Sequence, residues 1–315
     1  MLKRIFISAI LLIAVLSFVI SLLGGKNAYN ADKIPAPKGD RVAVIDIQGT
    51  IESGADGTAI FAEARGATSG RIMQELRQAA KDKSVKAVLL RINSPGGSVT
   101  AAEEITREIQ RFKETSHKPI VAAMGDTGAS AAYYIAAGCD KIYANASTLT
   151  GSIGVYMGTK NLEELYKKLG VKDVMIKSGI HKDIMSTARP MTPEEKEILQ
   201  TMVNEMYDEF LTVVSTGRNI PLDKVRALAD GRVYTGKQAK ALGLVDDLGN
   251  YYDALDATGV LAGIKGTPET VEYGSVKNWK NWFSSKIADQ VAGKIMEAIE
   301  AQSGVSVMMK PRAEG

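Results

Sequence analysis

Met124-Gly125-Asp126-Thr127-Gly128-Ala129-Ser130-Ala131-Ala132-Tyr133-Tyr134 sets a serine among small residues where a strand gives way to a helix. Upstream, Pro119 to Met124 reads as a short buried strand, and downstream Ala131 to Ala137 is apolar and rich in helix formers. Ser130 therefore falls near a helix N-terminus, where an oxyanion or alkoxide meets free backbone N–H groups and the positive end of the helix dipole. A plainer reading also satisfies the segment by itself, with Ser130 as an N-cap and the glycines as a turn.

The flanking sequence alternates between strand and helix patterns. Val42 to Ile47 reads as a strand, Arg71 to Lys81 as a helix, Lys86 to Ile92 as a buried strand, Thr100 to Lys113 as a helix and Lys141 to Ala144 as a further strand. Such alternation indicates an α/β fold of stacked βαβ units on a mainly parallel sheet, with catalytic loops at the C-terminal ends of strands. Asn93-Ser94-Pro95-Gly96-Gly97-Ser98 sits at one such end and Gly125 to Ser130 at the next, so two glycine-rich loops are expected side by side.

Beyond Met191 the chain turns helical. Thr192-Pro193-Glu194-Glu195 is a capping box with proline at the first helical position, and Leu199, Met202, Val203, Met206, Phe210 and Val213 recur at helical spacing as a core-facing stripe. Shorter helices are expected around Leu222 to Ala229 and Thr235 to Leu242. No internal repeat is visible, and residues 41–262 read as one domain with a helical C-terminal arm. Residues 263–315 hold a last amphipathic helix, Val276 to about Ile299, with Trp279, Phe283 and Ile287 among lysines. It suits a neighbouring subunit, a membrane surface or the chain's own domain.

Composition removes several function classes. With 39 Lys+Arg against 36 Asp+Glu and no basic cluster interleaved with aromatics, nucleic acid is not an expected partner. Cys139 is the only cysteine, which excludes an intrachain disulfide and a cysteine-based zinc site, and His117 and His181 are the only histidines. At the front, Ile5 to Leu23 is almost wholly apolar, and roughly nineteen such residues cross a bilayer. Cleavage after Ala31 would put Tyr29, and after Ala28 would put Lys26, where a signal peptidase needs a small residue, so an uncleaved anchor is expected. Residues 1–25 are then a cytoplasmic tip and transmembrane helix, residues 26–40, with Pro35 and Pro37, a linker, and the remainder extracytoplasmic at the cell membrane.

Four motifs occur in order: Ser94-Pro95-Gly96-Gly97, Gly125-Asp126-Thr127-Gly128-Ala129-Ser130, Thr150-Gly151-Ser152-Ile153-Gly154, and Lys177-Ser178-Gly179-Ile180-His181-Lys182-Asp183. With them, from about Arg41 to Gly249, the chain resembles the signal peptide peptidase A family, bacterial membrane-anchored serine proteases with a Clp-protease-like, crotonase-type fold. The resemblance implies Ser130 as nucleophile, Lys182 as general base, Gly97 as oxyanion-hole donor and Ser152 as the residue that orients the lysine amine. It implies peptide substrates, namely remnant signal peptides and other short or unfolded apolar segments, hydrolysed through an acyl-enzyme without metal or organic cofactor. It also implies a homo-oligomeric ring with sites that bridge subunits, because double-length relatives carry the lysine in one half and the serine in the other. One departure is Ala131-Ala132 after the serine, where many relatives have two glycines.

The dyad has physical requirements. An amine accepts the serine proton only when neutral, and suppressing a lysine's charge near pH 7 costs roughly 4 kcal/mol. Ile180, Ile184 and Met185 supply apolar surface, whereas Asp183 opposes the shift if it turns inward. Lys177 and His181 are competing bases, His181 because a Ser-His pair is the more familiar arrangement; His117 precedes a strand in a polar turn. Two other classes fit the same pattern: a crotonase-type acyl-thioester enzyme, with glycine-rich loops polarising a thioester carbonyl, and a non-catalytic ring scaffold at the membrane.

Overall fold

In β1 (Arg41–Gln48) the buried residues fall on both parities of the strand, Val42 and Val44 on one side and Ala43, Ile45 and Ile47 on the other. Successive side chains point to opposite faces, so this strand has no solvent face and its sheet is covered on both sides. The computed structural model describes residues 39–54 and 67–273. The expected anchor, the linker up to residue 38 and the Val276–Ile299 helix lie outside the described residues. Among the described residues no helix is long and apolar enough to cross a membrane.

After β1 come β2 (Ile51–Glu52), β3 (Ala67–Thr68), α1 (Ser69–Lys81), β4 (Val85–Ser94), α2 (Val99–Ser116), β5 (Ile120–Ala129), α3 (Ala131–Ala137), β6 (Lys141–Ala144) and β7 (Leu149–Gly151). The second half contains α4 (Glu163–Lys168), α5 (Pro193–Arg218), α6 (Leu222–Leu228), β8 (Val233–Thr235), α7 (Gly236–Ala241), β9 (Asp247–Leu248), α8 (Tyr251–Leu261) and β10 (Glu269–Glu272). The main sheet runs β10-β1-β4-β5-β6-β9, every neighbouring pair parallel, and β7 joins the far end of β5 before pairing antiparallel with β8. The two-stranded β2-β3 ribbon stands apart.

One face of the sheet packs on α1, α2, α3 and the distal half of α5 through Ile45, Leu90, Ile105, Ile109, Ile135 and Leu211. The other face, with Val44, Leu89 and Val121, is covered by Ala254 and Leu255 of α8. That helix starts at an Asn250 cap whose side chain accepts the N–H groups of Tyr252 and Asp253, with the Asp253 carboxylate returning to the Asn250 N–H. An Asn-x-x-Asp box carries weaker sequence signal than Thr-x-x-Glu, which accounts for its absence from the sequence reading.

Three boundaries differ from expectation. The domain does not stop at residue 262, because β10 adds to the edge of β1 with Arg41 opposite Glu269. β5 does not end at Met124; it continues through the glycines to Ala129, held by a second parallel partner, β7. The stripe on α5 is core-facing only from Phe210 onward, since Met202 is 43% exposed and Leu199, Val203 and Met206 are half-buried. A 26-residue helix is about 39 Å long, more than the layer beneath it covers, and mid-helix Met206 lines the pocket beside Ser130 instead.

α5 crosses the end of α3 backbone to backbone. A Cβ at Gly217 would fall inside the Ala137 carbonyl oxygen, and nearby the Tyr134 and Phe210 rings meet at 5.1 Å while the Tyr133 hydroxyl donates to the Leu244 carbonyl at 2.8 Å. Neither backbone has a flexible end to move aside. Gly217→Ala is therefore expected to cost about 2 kcal/mol through overpacking, read as a lowered thermal unfolding midpoint. An unchanged midpoint would show that the two helices separate freely.

Candidate active site

Ser130 occupies the single residue between β5 and α3, with φ 54° and ψ −125°, a conformation that costs a non-glycine residue about 1–3 kcal/mol. Its N–H donates to the Gly151 carbonyl and its carbonyl accepts the Tyr134 N–H, both at 2.9 Å. The hydroxyl, although at the N-cap position, makes no capping hydrogen bond. The plainer reading of Ser130 as a helix cap therefore leaves its side chain unexplained.

Neighbouring side chains hold the strained turn. Thr150 Oγ1 donates to the Gly128 carbonyl at 2.7 Å, Thr148 Oγ1 to the Gly125 carbonyl at 2.6 Å, and the Thr127 N–H donates to Asn93 Oδ1 at 3.1 Å. Thr148 and Thr150 are buried, so these bonds replace water on the carbonyls of a glycine-rich strand end. Sequence reasoning assigned none of these three side chains a role; the signal available was a polar residue in each strand flanking the serine strand.

Gly96 and Gly97 meet Ser130 from the end of β4, with φ +108° and +156°. Gly97 forms a parallel bridge with Ile51, in which the Ile51 N–H donates to the Gly96 carbonyl at 2.9 Å and the Ser98 N–H to the Ile51 carbonyl at 2.8 Å. Parallel pairing of this kind turns the Gly97 N–H to the opposite side. Among the described residues neither the Gly97 N–H nor the Ala131 N–H, the first of α3, donates a hydrogen bond. A Cβ at Gly96 would lie 2.8 Å from Ser130 Cβ and 3.0 Å from the Ala131 nitrogen, which measures how closely the two loops approach. Gly97 and Ser130 line one pocket with Val99, Ala102, Tyr134, Met206 and Phe210, its side chains apolar apart from the serine and the Tyr134 hydroxyl.

The other expected residues are placed differently. Ser152 follows Gly151 with φ 49°, its N–H donating to the Arg232 carbonyl at 2.9 Å, and lies outside that pocket lining. Lys182 is exposed on the turn around Gly179 to Ser186 and is not among the residues around Ser130. Among the described residues its ammonium makes no hydrogen bond or ion pair. His181 faces the start of α5, with Nε2 3.5 Å from the Glu194 carboxylate and a buried Nδ1 that makes no hydrogen bond, in a separate hollow. Lys177 is bonded to Asp183 and to the Ile180 carbonyl, and His117 closes α2 in the left-handed conformation. One chain thus brings Ser130 and Gly97 together, and neither histidine joins them.

Known proteins share the sequence pattern of this chain. The sequence pattern of peptidase family S49 matches residues 112–265, and that of Clp protease matches residues 57–151. A putative protease of Synechocystis sp. is 40% identical over 240 residues, 76% of this chain and 80% of that protein. The chain belongs to peptidase family S49. A putative signal peptide peptidase of Enterococcus faecium is 45% identical over 59% of this chain and 54% of its own length. Protease 4 of Haemophilus influenzae is 37% identical over 69% of this chain but only 34% of its own. The chain thus spans most of the first relative, about half of the second and a third of the last.

As an S49 member the chain is a serine-type peptidase, and the mixed α/β fold with its parallel sheet suits the Clp-protease match. The Ala131 N–H was not singled out from sequence, although the residue after a nucleophile at a strand-to-helix turn commonly donates to an oxyanion. In this S49 chain Ala131 and Gly97 line the same pocket as Ser130. Gly96→Ala would push a methyl group onto Ser130 in a backbone conformation that alanine rarely adopts. It is expected to slow labelling of Ser130 by a fluorophosphonate probe at least about tenfold. Wild-type labelling kinetics would show that the glycine contact leaves the serine's geometry untouched.

Proposed function

We propose that the chain is a membrane-anchored serine endopeptidase in which Ser130 and Lys182 form the catalytic dyad and short apolar peptides, remnant signal peptides among them, are the substrates. The observation that carries this reading is the Ser130 hydroxyl, left uncapped at a strained turn beside two unused backbone N–H groups and an apolar pocket. Peptide docks with its scissile carbonyl oxygen between the Gly97 and Ala131 N–H groups. Ser130 Oγ attacks the carbonyl carbon as a neutral Lys182 amine takes its proton. The two N–H groups stabilise the tetrahedral oxyanion, and the proton on Lys182 passes to the leaving amine. Water, giving a proton to the same amine, then adds to the acyl carbon, and the lysine returns that proton to Ser130 Oγ as the ester bond breaks and the acid product leaves. Ser152 orients that amine, and Val99, Ala102 and Phe210 select an apolar side chain next to the cleaved bond.

The base comes from a second copy of the chain. Support lies in the placement of Lys182 away from its own serine and in the surface of residues 156–180, where Tyr156 is 91%, Val174 80% and Ile176 96% exposed. A segment with so many exposed apolar side chains calls for a covering partner. Ile5 to Leu23 supports attachment to the membrane, with the peptidase domain on the extracytoplasmic side.

Ser130→Ala and Lys182→Ala are each expected to lower kcat for an apolar peptide by at least about 10³-fold with unchanged circular dichroism. Assemblies mixed from the two variants are expected to regain part of the activity, since some interfaces then pair an intact serine with an intact lysine. Full activity of either variant alone would overturn the dyad, and inert mixed assemblies of proven composition would overturn the shared site.

A further inference from the structure

A free carboxylate beside a general-base lysine keeps the ammonium charged, and Asp183 is the immediate neighbour of Lys182. The Asp183 side chain is nevertheless 8% exposed and fully engaged elsewhere. Arg189 Nε donates to its Oδ2 at 3.0 Å, Arg189 Nη2 to its Oδ1 at 2.8 Å, and Lys177 Nζ to the same Oδ1 at 2.5 Å. The adjacent edge of the guanidinium takes Glu195, Nη1 to Oε2 at 2.8 Å and Nη2 to Oε1 at 2.5 Å, and that side chain is only 2% exposed. Glu195 in turn closes the capping box of α5 by accepting the Thr192 N–H at 2.9 Å. Two bidentate contacts from one planar side chain fix position and orientation together, which an ammonium would not do.

We propose that Arg189 is a positioning residue for the base: it ties the turn that carries Lys182 to the first turn of α5 and withholds the Asp183 carboxylate from the lysine amine. The inference rests on Lys182 as base. The charged groups packed around the fork are Asp183, Lys177 and Glu195, with Glu194 and His181 on its flank, Nε2 of His181 lying 3.5 Å from Glu194. Two cations face two buried carboxylates, so the fork leaves no carboxylate without a cation. Consistent with this, the Arg189 guanidinium followed by the Lys177 ammonium holds the Asp183 carboxyl well below the usual range. Arg189 followed by the Thr192 N–H takes Glu195 down to about 2.

The test is the pH–rate profile of the full-length assembled protein, with the limb on which activity rises with pH as readout. Arg189→Met is expected to lower kcat about tenfold or more with little change in KM and to move that limb upward by about one pH unit, since Asp183, left with Lys177 as its only cation and no longer tethered to α5, then favours the charged lysine. Arg189→Lys is expected to fall between Arg189→Met and the wild type. Asp183→Asn combined with Arg189→Met is expected to return the limb to its wild-type position without restoring the full rate. A wild-type limb in folded Arg189→Met, or a double variant that keeps the raised limb, overturns the proposal. Where Arg189→Met does not assemble, the limb of Arg189→Lys decides by the same criterion. Lys182→Ala separates the two readings. If that variant stays active the base assignment itself fails; if it is inert while the Arg189 variants keep the wild-type limb, only the positioning role fails.

Discussion

Two glycines permit the approach on which the site depends. At Gly97 any side chain would collide with the Ile51 backbone, and at Gly96 it would collide with Ser130. The bridge to Ile51 consumes the Gly96 carbonyl and the Ser98 N–H, which leaves the Gly97 N–H free and aimed away from Ile51. From the other direction the Gly151 carbonyl takes the Ser130 N–H and fixes the strained turn. The serine is thus set from two sides by backbone alone, and the buried hydroxyls of Thr148 and Thr150 make its strand end tolerable by satisfying carbonyls that water does not reach.

Charge is handled in the opposite manner around the expected base. The wall next to Ser130 is apolar, while the segment carrying Lys182 contains a dense set of ions: Lys177, Asp183, Arg189 and Glu195. Buried ion pairs contribute little net stability because desolvation offsets their attraction. What such a cluster provides is geometry, through the directional fork of Arg189. The exposed apolar residues between Tyr156 and Ile180 have the reverse character, being apolar side chains that one copy leaves uncovered.

Much of this was legible in the residues. The strand-helix alternation from Arg41 to Ala144 follows from pleat and helix periodicity, and the Thr192 box announced the long helix. α8 was missed because its cap is the weaker Asn-x-x-Asp pair, and β10 because a polar strand of four residues has no hydrophobic alternation to detect. Glycine in Gly125 to Ala129 suggested a loop, yet the segment is strand, since pairing with β7 outweighs local propensity. Spacing alone places the α5 stripe on the core, whereas its full burial begins only at Phe210.

What the sequence by itself determined is the family, through motifs whose order marks an S49 peptidase, and, through a single cysteine, the exclusion of an intrachain disulfide and a cysteine-based zinc site. Only the tertiary structure decided which of those residues meet. Ser130 and Gly97 converge because β4 and β5 are parallel neighbours whose register shifts after Ile92 to set Ser94 opposite Gly128, and the Ala131 N–H joins them because a helix must leave its first N–H groups unpaired. Lys182 stands apart from its own serine, and Asp183 turns to Arg189, because burial of a carboxylate is tolerated only against a cation, and adjacency along the chain does not supply one.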